Sequence, residues 1–314
     1  MVAYLLRRLV SLLSILVVVG LVVFFLVRLV PGDPTSALLG ENATAEQIGA
    51  LRTRLGLDRS LLAQFGAWME SVARGDLGTS IYMRIPVVTA VIQRIEPTGM
   101  LALAATLVAV LLGVSLGVIA AIRHNTAVDY AVMVIAMLGL SLPTFWLGLL
   151  MIMLFAVTLQ WLPAAGYVSI LQEPVASLRY LLMPALALGF SQAAIIARMT
   201  RASVLDTLGE DYVRTAHSKG LAAARVVIGH ALRNAILPIV TVIGLSIATL
   251  AGGVVVTETV FNIPGAGRLV IDSVLRRDYP VIQGSVLLVA FVYAFVNLLV
   301  DLSYAFFDPR VRYQ

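Results

Sequence analysis

The sequence predicts an all-α, polytopic membrane protein. Three observations carry that prediction: a composition too apolar for a water-soluble core, six apolar stretches long enough to span a bilayer, and a bias of arginines to one side of them. Of the 314 residues, 60% are hydrophobic and only 12% charged, with a mean hydropathy of +0.98. Ordinary soluble domains are roughly 45–50% apolar and about 25% charged, so most soluble enzymes and any largely disordered chain are excluded. The absence of cysteine removes disulfides, thiolate chemistry and cysteine-bound metal. The formal charge of +5 comes almost entirely from arginine, Lys219 being the one lysine. In so oily a chain, positive charge marks cytoplasmic loops beside anionic lipid rather than a nucleic-acid groove.

A helical crossing needs about 20 mostly apolar residues, because lipid offers no partner to unpaired backbone groups. The first stretch runs over 9–30. It is too long, and too poorly followed by small residues, to be a cleaved leader, since Pro31-Gly32-Asp33-Pro34 comes next. The others run over 98–122, 130–159, 181–199, 236–261 and 281–306. The third is long for one crossing and carries Pro143 in its middle. Pro143 lacks an N–H and would free the carbonyl of Gly139 in a continuing helix, with Ser141 and Thr144 nearby to satisfy it. With both termini inside, short cytoplasmic pieces hold eleven basic residues (Arg7, Arg8, Arg123, Arg198, Arg201, Arg214, Lys219, Arg225, Arg233, Arg310, Arg312). Short outer loops hold four (Arg179, Arg268, Arg276, Arg277), so both termini are expected in the cytoplasm.

The outer segment 40–96 carries two amphipathic pieces. Ile48, Leu51 and Leu55 share one stripe, opened by Thr44 and Gln47 at capping-box spacing. A second runs from Leu61 through Phe65, Trp68 and Met69 to Val72, and is expected to lie on the bilayer or pack on the bundle. No long internal repeat is evident, and the whole of 1–314 reads as one permeating domain. Gly113 and Gly117, and likewise Gly244, Ala248 and Gly252, recur every four residues. Such small-residue stripes are read as helix-packing faces.

Reactive chemistry is sparse. Arg28, Arg198, Glu258 and Asp301 fall near span ends, where anchoring at the interface or local pairing accounts for them. His124, His217 and His230 are isolated, with no His-Glu-x-x-His pair or carboxylate cluster, so no metal site is expected. Gly265-Ala266-Gly267 lacks its third glycine, Val270 standing there, and reads as a turn. Lys219 is followed by Gly220 rather than Ser or Thr, so the chain has no phosphate-cradling P-loop, and ATP-driven action would require another subunit.

The cytoplasmic insert 200–235 is the most informative stretch. Leu205, Leu208, Tyr212 and Ala216 are spaced 3, 4 and 4 residues apart, as one apolar stripe along a helix. Gly220 follows at a helix stop, and a second basic helix is expected over 222–234, with Pro238 just inside the next span. From periodicity alone, a docking element and an amphipathic connector at the headgroups are equally compatible with this helix–turn–helix.

The residues themselves go further. Glu210-Asp211-Tyr212-Val213-Arg214-Thr215-Ala216-His217-Ser218-Lys219-Gly220-Leu221, followed by His230-Ala231-Leu232-Arg233-Asn234-Ala235 and Ile236-Leu237-Pro238, resembles the EAA loop of ABC importer permeases. The version here is similar to the dipeptide/oligopeptide/nickel branch. Arg214-Thr215-Ala216 stands where the general motif has Glu-Ala-Ala. The resemblance extends through Pro31-Gly32-Asp33-Pro34, Leu55-Gly56-Leu57-Asp58, Gly75-Asp76-Leu77-Gly78, Ser141-Leu142-Pro143-Thr144-Phe145, Trp161-Leu162-Pro163, Thr200-Arg201-Ala202-Ser203, Pro264-Gly265-Ala266-Gly267 and Arg277-Asp278-Tyr279-Pro280.

This resemblance implies six spans with an EAA-type coupling helix, in a bacterial inner membrane. It implies a second, related permease subunit, two ATPase subunits that hold the ATP and magnesium, and an extracytoplasmic substrate-binding protein. No cofactor is implied for this chain, and no nucleic acid as a partner. It places ATPase coupling on Glu210, Asp211, Tyr212, Arg214, Thr215, Ala216, Lys219 and Gly220, Ala216 and Gly220 allowing close approach. Ser141, Pro143 and Phe145 become candidate pathway residues. The expected cargo is di- or oligopeptide, with nickel complexes and glutathione-like compounds as alternatives. A stand-alone ion-coupled carrier is the competing class, and an intramembrane enzyme would need a reactive constellation that is not found.

Overall fold

A computed structural model describes residues 2–29, 44–54 and 56–307. Pro31-Gly32-Asp33-Pro34, Leu55, Arg310 and Arg312 lie outside the described residues, as do the side chains of Arg7, Arg8, Leu51, Ala248 and Asp301. About 80% of the chain is helical, with no strand among the described residues. In order, the helices are α1 (Val2–Leu29), α2 (Ala45–Arg54), α3 (Leu61–Ala73), α4 (Val87–Ile122), α5 (Ala127–Ser141), α6 (Thr144–Met151), α7 (Pro174–Leu208), α8 (Asp211–Ser218), α9 (Ala223–Val226), α10 (Arg233–Val260), α11 (Ala266–Leu275) and α12 (Tyr279–Phe307). π-helical turns over Ile152–Thr158 and Val227–Leu232 extend α6 and join α9 to α10.

Among the described residues, four helices are long and apolar enough to cross a membrane: α1 over Val10–Leu29, α4, α7, and the rod from Ala223 into α10. At about 1.5 Å per residue, α4 and α7 each exceed 50 Å, so their ends outrun the roughly 30 Å hydrocarbon layer. A fifth span is reached only if α5 and the extended α6 count as one, and these are bent by 102°. The helix expected to continue through Pro143 therefore does not. Proline crowds the preceding residue out of the helical region. Leu142 accordingly takes φ −83°, ψ 126°, and its N–H makes the last bond of α5, to the carbonyl of Leu138. Pro143 then opens α6. The described apolar part of α12, Tyr279–Phe295, is shorter than a full crossing.

The chain folds into two compact units, Met1–Glu96 with Pro264–Val296, and a second containing Pro97–Ile263. In the first, the capping box is present: Thr44 N–H donates to Gln47 Oε1 at 3.1 Å, and Gln47 N–H to Thr44 Oγ1 at 3.3 Å. The apolar face of α3 packs on α1, the rings of Phe65 and Trp68 lying 5.2 and 5.7 Å from that of the fully buried Phe24. Arg28 caps this contact locally, lying 3.4 Å over the Phe24 ring and donating to Gln64 Oε1 at 2.9 and 3.2 Å.

Asp278, 1% exposed, fastens the loop after α3. It accepts from Ser80 Oγ at 2.5 Å and from the Ile81 and Tyr82 N–H groups at 3.1 Å each. Arg276 stacks over the Tyr82 ring at 3.8 Å. Asp278→Ala strands a hydroxyl and two amides, and a buried donor without a partner costs roughly 1–3 kcal/mol. The expected result is a loss of about 3 kcal/mol and rapid trypsin cleavage at the exposed Arg84. A digestion pattern like that of the wild type would refute the fastening role.

In the second unit, glycines set the interhelical spacing. A Cβ on Gly113 would stand 2.7 Å from Ile196 Cβ, one on Gly117 2.6 Å from the Ala197 carbonyl, and one on Gly189 2.8 Å from the Ala105 carbonyl. The Gly113/Gly117 stripe is thus a packing face between α4 and α7. Gly139 brings α5 near α7 less tightly, a Cβ there standing 3.2 Å from both Phe190 Cε1 and Ala194 Cβ. Gly244 is buried in α10, while the positions of Ala248 and Gly252 lie outside the described burial.

Candidate functional site

The candidate site is the hairpin between α7 and α10. α7 ends at Leu208, and the N–H of Gly209 closes its last turn on the carbonyls of Leu205 and Asp206. The chain then breaks at Glu210, an extended residue (φ −73°, ψ 147°), before α8 begins. That break resets the helical register, so Leu208 and Ala216 of the expected apolar stripe pack inward, Tyr212 turns outward, and Val213 takes its place. Val213 and Ala216, at 1% and 7% exposure, form a small core with Val226, backed by Leu208 and Leu221. Tyr212 is 40% exposed, and its hydroxyl accepts from Asn234 Nδ2 at 2.9 Å, tying α8 to the base of α10.

Gly220 makes the sharp turn with φ +79° and nothing within 4 Å of where a Cβ would sit. The left-handed conformation costs a side-chain-bearing residue roughly 1–2 kcal/mol. Gly220→Ala is therefore expected to speed amide exchange over 211–218 by about tenfold, with no steric clash among the described residues. Unaltered exchange would show that the turn does not limit the hairpin. The second basic helix expected over 222–234 is present as α9 with its π turn, but it runs into α10 without a break.

The remaining candidates divide by exposure. Glu210, Asp211, Arg214, Thr215, Lys219 and Gly220 are exposed at the tip. Arg214 Nη1 lies 3.4 Å from Asp211 Oδ1, but the side chains are 74% and 96% exposed. A pair that exposed contributes little to stability, leaving both charges available. Ala216 is spent inside the hairpin rather than on its surface, so the close approach expected of it is to Val213 and Val226. Ser141, Pro143 and Phe145 lie together at the α5–α6 bend, all exposed, with Ser141 Oγ donating to the Met137 carbonyl at 2.9 Å. The hairpin and the bend belong to the same unit but sit on different elements.

Two acids of this unit are buried, of which the sequence singles out Glu258 but not Asp129. Glu258 is fully buried and accepts from Thr98 Oγ1 at 2.5 Å, so it is locally paired rather than anchored at an interface. Asp129, 1% exposed, takes a two-pronged contact from Arg201, Nε at 2.6 Å and Nη2 at 2.7 Å. His124 joins them, its Nδ1 lying 3.3 Å from Asp129 Oδ2 and 3.1 Å from Arg201 Nη2. It is therefore not isolated, although no group of His, Asp and Glu fit to hold a metal occurs among the described residues. The available signal was that Asp129 and Arg201 carry opposite charges at span ends on one expected face. Gly265 caps α11, so Gly265-Ala266-Gly267 leads into a helix.

The chain matches the family described as binding-protein-dependent transport system inner membrane component over residues 113–313. It matches the N-terminal component of such proteins over residues 1–99. It is 45% identical over 310 residues to a probable peptide ABC transporter permease protein of Sinorhizobium fredii, covering 99% of each chain. A glutathione transport system permease protein of Escherichia coli O6:H1 is 43% identical over 314 residues, covering 100% of each. A dipeptide transport system permease protein of Alkalihalophilus pseudofirmus is 39% identical over 334 residues, again covering 100% of each. Among solved structures, a chain of the MetNI methionine ABC transporter in an inward-facing conformation superposes with a TM-score of 0.58. That match covers 70% of this chain and 97% of the other at 16% identity, a likeness of fold alone.

Proposed function

The chain belongs to the family of binding-protein-dependent transport system inner membrane components, and on that premise we propose that it forms half of the translocation pathway of an ATP-driven importer of di- and oligopeptides. It is a permease subunit of an ABC importer and not itself an enzyme. In this reading the chain crosses the membrane six times with both termini in the cytoplasm. It pairs with a second, related permease, receives cargo from an extracytoplasmic binding protein, and couples to two separate ATPases that hold the ATP and magnesium. A tag at Gln314 labelled only from outside would overturn the orientation.

The observation that supports coupling most directly is the hairpin. A short rigid element with its own apolar core presents Glu210, Asp211, Tyr212, Arg214, Thr215, Lys219 and Gly220 outward, and continues into two long helices. Arg214 and Lys219 supply charges for charge-assisted contacts with a groove on the ATPase. Ser141, Pro143 and Phe145, at a bend where a helix ladder is interrupted, are proposed to line the path. Such interruptions are tolerated at membrane depth where they face protein or a wet cavity.

Gly220 supplies the test. Alanine and tryptophan strain the backbone alike there, yet the space around Gly220 is empty among the described residues. Any further loss in Gly220→Trp therefore reports a partner surface. In proteoliposomes holding both permeases, both ATPases and the binding protein, Gly220→Ala is expected to retain most substrate-stimulated ATP hydrolysis. Gly220→Trp is expected to lose it at least tenfold while the complex still assembles. Equal activity of the two variants, or uphill peptide uptake by this chain alone, would reject the assignment. Competition by dipeptides, glutathione and nickel complexes in the same vesicles separates the cargo classes.

A further inference from the structure

We propose that Asp129 and Arg201 are positioning residues that lock the turn between α4 and α5 to the end of α7, so that displacement of the hairpin moves α4, α5 and α7 as one body. The inference rests on the reading of the hairpin as the ATPase-coupled element. It concerns where the motion goes after it enters the chain.

The contact is built for rigidity. The planar guanidinium of Arg201 meets both oxygens of Asp129, at 2.6 and 2.7 Å, in a fork that fixes orientation as well as distance. Asp129 also accepts the Asn125 N–H at 3.0 Å, so the same carboxylate holds the turn itself. That turn is tight: Asn125 is left-handed (φ +59°), and Thr126 Oγ1 donates to the Arg123 carbonyl at 2.5 Å. Separating the pair would leave a charge buried without a partner, so intermediate geometries are disfavoured.

Its position decides what it transmits. Arg201 stands seven residues before Leu208, roughly 10 Å along α7 from the start of the hairpin. Immediately N-terminal to it, Ala197 and Thr200 meet Gly117 of α4, and Ile196 meets Gly113. On the α5 side, Gly139 meets Phe190 and Ala194. Glycine contacts therefore hold α4 and α5 against α7 along their lengths, and the ion pair closes the end nearest the hairpin. The bend at Leu142–Pro143 is different, because no helical hydrogen bond crosses it and α6 leaves at 102°. Deformation is directed to that bend, beside Ser141 and Phe145, instead of being absorbed in the turn over 123–126.

The test uses the full complex in proteoliposomes with Asp129→Asn, Arg201→Gln and Arg201→Lys. Lysine keeps the charge but loses the fork. Expected are normal assembly, an intact crosslink from Ser218→Cys to the ATPase, and ATP hydrolysis within about twofold of wild type. Peptide carried per ATP should fall tenfold or more in Asp129→Asn and Arg201→Gln, and by an intermediate factor in Arg201→Lys. Because the chain has no cysteine, spin labels at the exposed Ala127→Cys and Ala202→Cys read the lock directly. The wild type should give one narrow distance unchanged by ATP, and Asp129→Asn a broad one that shifts with nucleotide. An unchanged uptake-to-hydrolysis ratio would overturn the proposal, as would parallel loss of both activities with the narrow distance kept. Should Asp129→Asn fail to assemble, the ratio and distance in Arg201→Lys decide on the same terms. Absence of the Ser218→Cys crosslink in the wild-type complex would instead sink the importer reading, leaving a distinguishable failure.

Discussion

Gly117→Leu is expected to abolish accumulation of folded chain in the membrane, with a destabilisation of about 3 kcal/mol or more. A Cβ there would lie 2.6 Å from both the Ala197 carbonyl oxygen and Thr200 Cβ. Backbone cannot rotate out of the way as a side-chain tip can, so α4 and α7 must separate. Within lipid no hydrophobic driving force compensates that separation, because helix association rests on close packing itself. The displacement would also pull Arg201, next to Thr200, away from Asp129. Gly99 on the same helix is the control: nothing lies within 4 Å of its Cβ position, so Gly99→Leu should accumulate normally. Detergent-extracted, size-resolved fusion protein measures both, and equal yields would disprove close packing at Gly117.

Val213→Asp is expected to have the other large effect, unfolding the hairpin while leaving the spans inserted. Val213 is 1% exposed against Ala216 and Val226, with Leu208 and Leu221 packed behind them. A carboxylate buried there without a partner costs about 4 kcal/mol, more than an eight-residue helix with so small a core can absorb. Trypsin should then cut rapidly at Arg214, Lys219 and Arg225, substrate-stimulated ATP hydrolysis should vanish, and membrane yield should hold. His217→Asp, on the exposed face, should keep the hairpin resistant. If Val213→Asp stayed both resistant and coupled, the buried face would have been misassigned. Ala216→Arg belongs with Val213→Asp, since it too strikes the hairpin's own core rather than a docking surface.

The two variants separate what a linear reading finds from what it misses. The helix–turn–helix, the stop at Gly220 and the charged tip follow from spacing and residue type, which are local properties. The full extent of the buried face does not. A single extended residue at Glu210 put Val213 beside the expected Leu208 and Ala216 and turned Tyr212 outward, because periodicity counted across a break drifts by a residue. The same holds at Pro143, where apolar length alone predicts one helix over 130–159. The geometric rule for a residue preceding proline favoured a break, and the structure bends there.

The sequence by itself determined that this chain is helical, resides in a membrane and belongs to a permease family. Apolar length, caps such as Thr44 with Gln47, and glycine spacing act over one or two turns, and lipid forces any spanning backbone to satisfy its own hydrogen bonds. Tertiary structure alone decided which polar groups meet. Asp129 and Arg201 are 72 residues apart, and Ser80 and Asp278 are 198 apart. Such pairs exist only after packing has excluded water around them and brought their helices into register, a condition no local pattern encodes.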